Sequence, residues 1–183
     1  MTKQLNIVAV SPALNTKDSY IVVLQEVEGP RTLPIIIGNT EANAIVMHMN
    51  GRVPSRPLTH DLMASLIAEA KTTVENVCIR EVKEGVFISA INILNLDGTT
   101  ASVDSRTSDA LALSVRINCP IYAESAVLDE CGVNEDVKTS SPVILPQKPT
   151  ENLKELLDKA LEREDYEEAA KLRDRLAAAD NEK

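Results

Sequence analysis

At 183 residues and 19.9 kDa the chain is long enough for one domain with a substantial core and a small appendage, and too short for two full domains. Its 44% hydrophobic and 26% charged residues exclude a wholly disordered chain. A net charge of −9 and an aromatic set confined to Tyr20, Phe87, Tyr122 and Tyr166 exclude both a broad electrostatic footprint on nucleic acid and a base-stacking platform, so any contact with a phosphate backbone has to be local.

Residues 5–10, 19–27 and 32–37 are rich in β-branched side chains and separated by Ser11-Pro12 and Gly29-Pro30, which predicts three strands. Residues 39–49 carry Ala42, Ile45, Val46 and Met49 at helical spacing, between a capping Asn39 or Thr40 and the stop Asn50-Gly51. That predicts a short helix. After the loop RVPSRP, a second helix beginning at His60 and capped by Thr59 is expected to turn Leu62, Met63, Leu66, Ile67 and Ala70 toward the core. Strands follow at 74–82, 86–95 and 99–104, joined by Lys83-Glu84-Gly85 and the hairpin signal Asp97-Gly98. A third helix, Ser108 to Ile117, is apolar nearly all round and so expected to be buried; Pro120 ends it, and IYAES reads as one more strand. Without regular strand–helix alternation or a Gly-rich phosphate loop, the expected class is α+β: a mixed, mainly antiparallel sheet with about three packed helices, followed by a C-terminal helical hairpin.

The sharpest change of composition is at residues 138–150, where Pro142, Pro146 and Pro149 with a Ser/Thr cluster predict a linker between a domain at 1–137 and a tail at 151–183. The tail holds 11 acidic and 7 basic side chains and two apolar stripes, Leu153, Leu156, Leu157 and Leu161 in one helix and Tyr166, Ala169, Leu172 and Leu176 in the next. A hairpin of about 30 residues cannot hide both stripes alone, so residues 151–180 are expected to meet a protein partner, the main domain or a second copy. Cys78, Cys119 and Cys131 are odd in number and form no CxxC pair, which argues against a disulfide framework or a zinc knuckle. No signal-like or membrane-spanning run is present, and the expectation is a cytoplasmic protein with no membrane contact.

Chemistry concentrates in RPLTHDL (56–62) and VDSRTSDALAL (103–113), each with Arg, then Thr, any residue and Asp at a helix start. Thr59 and Thr107 suit N-caps, and Asp61 and Asp109 suit the positive end of a helix dipole. The same residues also suit catalysis. His60 can act as a general base oriented by Asp61 or Asp104; Asp104 and Asp109 can hold Mg2+ or Mn2+; and Arg56 and Arg106 can clamp phosphate oxygens. Intramolecular pairing of those arginines with Asp61, Asp104 or Asp109 is the competing arrangement, and His48 reads as a packing or surface residue.

Taken together, LPIIIGNTEANAI (33–45), RPLTHDL, DSRTSDALAL with Arg116, and PIY (120–122) resemble the bifunctional nuclease domain over roughly residues 5–133. The motif positions matched are Glu41, Arg56, Thr59, His60, Asp61, Asp104, Arg106, Ser108 and Asp109, while Ser105 and Thr107 stand where the family pattern has Ala and Pro. The resemblance implies a self-associating α+β domain and a DNase or RNase activity; the chemistry of the residues at the two helix starts makes His60, Asp61, Asp104 and Asp109 the expected catalytic set, Asp104 and Asp109 the expected metal ligands, and Arg56 and Arg106 the expected substrate-binding residues. DYEEAAKLRDRL (165–176) resembles the UVR motif of the UvrB and UvrC excision-repair subunits and implies a protein–protein contact. The alternatives are a noncatalytic oligomeric scaffold or stress adaptor that recruits a partner through the hairpin, and a small-molecule sensor with a pocket between the helix starts.

Overall fold

The computed structural model describes residues 1–13, 18–52, 54–134 and Arg173, and the chain divides into two compact units at 143/144. The linker expected at 138–150 and the hairpin expected at 151–183 lie outside the described residues, save for Arg173, which is helical.

The β-branched N-terminal runs pair as an antiparallel meander of β1 (Thr2–Pro12), β2 (Ser19–Glu26) and β3 (Thr32–Gly38), with Leu24 opposite both Ile7 and Leu33. A second meander is built from β4 (Thr73–Lys83), β5 (Val86–Leu94) and β6 (Thr100–Arg106). Its first turn places Glu84 and Gly85 at φ 51° and 79°, the left-handed pair that matches the twist of a tight hairpin. The four-residue strand β7 (Ile121–Glu124) joins the halves: Ile121 lies opposite Leu5 of antiparallel β1 and opposite Val77 of parallel β4. One seven-stranded sheet results, in the order β3-β2-β1-β7-β4-β5-β6.

Helices α1 (Asn39–Met49), α2 (Thr59–Glu69) and α3 (Thr107–Ile117) pack as a group, with α3 touching α1, α2 and strands β4, β5 and β6. The apolar composition of α3 is explained by this central position; Ala110, Leu111, Ala112 and Leu113 are all buried. They join Leu5, Val22, Leu24, Leu33, Ile45 and Ile79 in an aliphatic core. Full burial of each large aliphatic side chain contributes about 1.5–3 kcal/mol.

The mixed, mainly antiparallel sheet with packed helices matches the expected class, but the described residues contain four helices where about three were expected. The fourth, α4 (Ser125–Cys131), is seven residues long, too short to establish a helical period in the sequence. A second difference concerns α2. Leu62 and Leu66 of the stripe expected in the core are 54% and 59% exposed, and the buried residue is His60. The apolar band on α2 is wide, and the helix packs on α3 along the edge that carries His60. Among the described residues no helix is long and apolar enough to cross a membrane.

Candidate functional site

Glu41 is the third residue of α1, His60 the second of α2 and Asp109 the third of α3. Each therefore sits in a first turn, where unpaired backbone N–H groups and aligned peptide dipoles make the surroundings positive. All three line one cavity of about 600 Å3 with Thr40, Thr59 and Arg106. The two Arg-Thr-x-Asp segments thus meet in space although His60 and Asp109 are 49 positions apart.

The contact is direct: His60 Nε2 lies 3.2 Å from Asp109 Oδ1. Donation of Nε2–H to that carboxylate fixes the tautomer and leaves the Nδ1 lone pair as a proton acceptor. Arg106 is the cap residue of α3, and its extended backbone lets the side chain fold over the first turn. There Nε donates to Asp109 Oδ2 at 2.7 Å and Nη2 donates to Oδ1 at 3.2 Å. Nη2 also stands 3.4 Å from Glu41 Oε1. Burial pushes the Asp109 carboxyl up, but hydrogen bonds from Arg106 and His60, with the charge of Arg106, outweigh it and hold the group below the usual carboxylate range. Asp109 is a fixed anion.

Thr107, expected as a cap, is instead the first helical residue. Its hydroxyl donates to Phe87 O at 3.0 Å and accepts from Ser89 Oγ at 2.6 Å, pinning the start of α3 to β5. Thr59 is likewise the first residue of α2, and the residue before it, Leu58, has no polar side chain to offer. Asp61 makes the reciprocal contact of a capping box, accepting Leu58 N–H at 2.8 Å.

Asp61 also accepts Arg116 Nε at 2.5 Å, so its carboxylate engages the last turn of α3, whereas the carboxylate on the His60 ring is Asp109. Burial pushes the Asp61 carboxyl up, and the Leu58 N–H and Arg116 more than reverse that, holding it low. Arg116, 4% exposed, donates from Nη1 to Ala44 O at 3.0 Å and Ala112 O at 2.8 Å. Asp104 is exposed on the edge strand β6, opposite Ala90, and Arg56 is exposed in the loop before α2; neither lines the cavity. Local spacing does not reveal what Glu41 and Arg116 do here. A signal existed for Arg116, the one cation in a helix otherwise suited to burial, which has to find a partner.

As they stand, these donors make no ready cation site. Asp109 is held by Arg106 and His60, Asp104 stands apart from the cavity, and no group of three His, Cys, Asp or Glu side chains is placed to hold a metal among the described residues. A divalent ion on Asp104 and Asp109 would require Arg106 to release the carboxylate.

The UvrB/uvrC motif matches residues 147–182. Two proteins of Mycobacterium tuberculosis, "Uncharacterized protein MT1877" of strain CDC 1551 / Oshkosh and "Uncharacterized protein Rv1829" of strain ATCC 25618 / H37Rv, are each 35% identical over 140 residues, covering 75% of this chain and 83% of the relative. The family described as the bifunctional nuclease domain matches residues 22–136, which include all three first turns of the cavity, and the chain belongs to that family.

Proposed function

We propose that the cavity cleaves phosphodiester bonds in DNA or RNA. The observation that carries this reading is the His60–Asp109 pair, set in a hollow ringed by three helix N-termini and faced by Arg106. The N-termini and the guanidinium offer an anion-binding spot on a protein of net charge −9. His60 Nδ1 takes a proton from the attacking water, or from the 2′-hydroxyl of RNA, and Asp109 orients the ring and stabilises the imidazolium. The imidazolium returns the proton to the departing oxygen. Arg106 turns from Glu41 toward the nonbridging oxygens, where its charge is matched to the transition state. Mg2+ or Mn2+ on Asp104 and Asp109 is a separate part of the proposal, and no step above passes through it.

The test is cleavage of single-stranded DNA and RNA by the full chain, with EDTA and with added Mg2+ or Mn2+. Wild type should cut, and His60→Ala should lose about 100-fold or more in kcat. Equal rates for the two proteins would overturn the mechanism. Dependence on the ion, lost in Asp104→Asn, would support metal binding there.

A second reading is favoured by the UvrB/uvrC match and by the internal saturation of the Asp109 carboxylate. In it the chain is a noncatalytic, self-associating adaptor that recruits a protein through residues 147–182. Absence of cleavage under every condition, with a dimer or larger mass by light scattering, would favour it.

A further inference from the structure

The leucines that spacing placed in the core of α2 stand on its outer side. Leu58, Leu62 and Leu66 recur at every fourth position, all exposed, on the face of the helix turned away from the buried His60. The rest of that face is nearly free of charge. Of the two acidic side chains of α2, Asp61 is held by Arg116 of its own chain, which leaves Glu69 at the C-terminal end as the exposed one. Large apolar side chains gathered on an otherwise charge-rich surface mark a place of contact.

The stripe is complementary to a second copy of itself. Leu58 and Leu66 lie equally far in sequence from Leu62, so two α2 helices laid antiparallel about a two-fold axis at Leu62 set Leu58 of each copy against Leu66 of the other. Ser65, exposed between the leucines, is small enough to let the helices close. Charge selects the same arrangement. Arg56 is exposed just before the stripe, with no ion pair to its guanidinium among the described residues, and Glu69 is exposed just after it. Antiparallel pairing brings Arg56 of each copy beside Glu69 of the other, twice by symmetry, whereas parallel pairing would set like charges together.

We propose that α2 is the contact between two copies of this chain, an antiparallel seam of Leu58, Leu62 and Leu66 closed at both ends by Arg56 and Glu69. Three leucines a side make a small seam, so the dimer forms reversibly and depends on concentration. The seam holds under either functional reading. Leu62 and Leu66 lie outside the His60 cavity, and Leu58, which lines it, puts the seam at the edge of each copy's cavity.

The test is sedimentation of the full chain over a wide range of concentration, which reads mass and leaves cleavage aside. Wild type should rise from 19.9 kDa toward twice that mass. Leu62→Glu, which sets two carboxylates against each other at the axis, should raise the dissociation constant about 100-fold or more, with Tm kept because the side chain is exposed. Arg56→Glu and Glu69→Arg should each weaken the dimer about three- to tenfold, and the two together in one chain should restore it, since the pair is then reversed and not lost. A wild type that stays at 19.9 kDa throughout overturns the pairing and leaves the stripe to a different protein. A dimer unmoved by Leu62→Glu, or a double charge reversal no tighter than either single one, overturns the seam as well.

Discussion

The Asp61 carboxylate accepts a 2.5 Å hydrogen bond from Arg116 Nε across 55 positions of chain, and this contact holds the first turn of α2 against the last turn of α3. His60 is the residue before Asp61, so the ion pair sets the ring that meets Asp109. Removing one partner leaves the other charge buried. Asp61→Ala should therefore destabilise the fold by about 3 kcal/mol, read as a lower Tm, and should lower kcat through displacement of His60. Arg116→Met, which keeps the stem and frees a quarter-exposed carboxylate to meet water, should cost less. Equal stability of Asp61→Ala and wild type would remove this account.

Arg106 grips Asp109 through two nitrogens, a geometry that a lysine ammonium cannot reproduce. Under the phosphodiesterase proposal, Arg106→Lys should retain the fold, because the side chain is mostly exposed, and lower kcat/KM about tenfold or more. Steady-state kinetics beside a thermal melt separates the two effects.

Glu41 competes for the same guanidinium, and Gly38 makes room for it. A Cβ at Gly38 would stand 2.5 Å from Glu41 Oε2, so Gly38→Ala has to displace that carboxylate. The displaced group is the end of a flexible side chain, and the stability cost should be under about 1 kcal/mol. Released from Glu41, Arg106 should bind substrate phosphate more readily, lowering KM, and Glu41→Gln should do the same. An increase in KM in both variants would show that Glu41 assists binding.

Glu26 supplies a pH dependence away from the cavity. It is 4% exposed and accepts from Arg31 Nε at 2.9 Å and Nη2 at 3.2 Å, with Lys3 Nζ 3.6 Å away. The Arg31 hydrogen bonds, opposed by burial and aided by the charges of Arg31 and Lys3, hold the carboxyl below its ordinary range. A carboxyl whose pKa is lower folded than unfolded stabilises the fold above the unfolded value, and the contribution is lost as pH falls through the folded one. Glu26→Gln should cost about 1–3 kcal/mol near neutrality and progressively less in acid. Urea midpoints of both proteins, followed from about pH 7 downward, should draw together as pH falls below the ordinary carboxyl range; a constant gap would refute the linkage.

Local signals in the sequence carried most elements. The β-branched runs, the Asp97-Gly98 turn and the apolar α3 all formed close to where they were expected. Long-range choices were not legible. Period placed Leu62 and Leu66 on one face of α2 but could not say that α3 covers the neighbouring edge. Thr107 looked like a cap, yet its hydroxyl found Ser89 and Phe87 on β5, partners that local spacing cannot reveal. The same holds for the site: both helix starts were visible, whereas the pairing of His60 with Asp109 and of Asp61 with Arg116 depends on how three helices cross.

The position of β7 has a consequence for synthesis. Both meanders are complete in the chain before Ile121, but β1 and β4 face each other only through this four-residue strand. A nascent chain halted short of it therefore carries two sheets, each with an unpaired edge open to other molecules. Ribosomal progress past Glu124 turns two vulnerable halves into a single cooperative body, and a premature stop codon before that point should yield insoluble product.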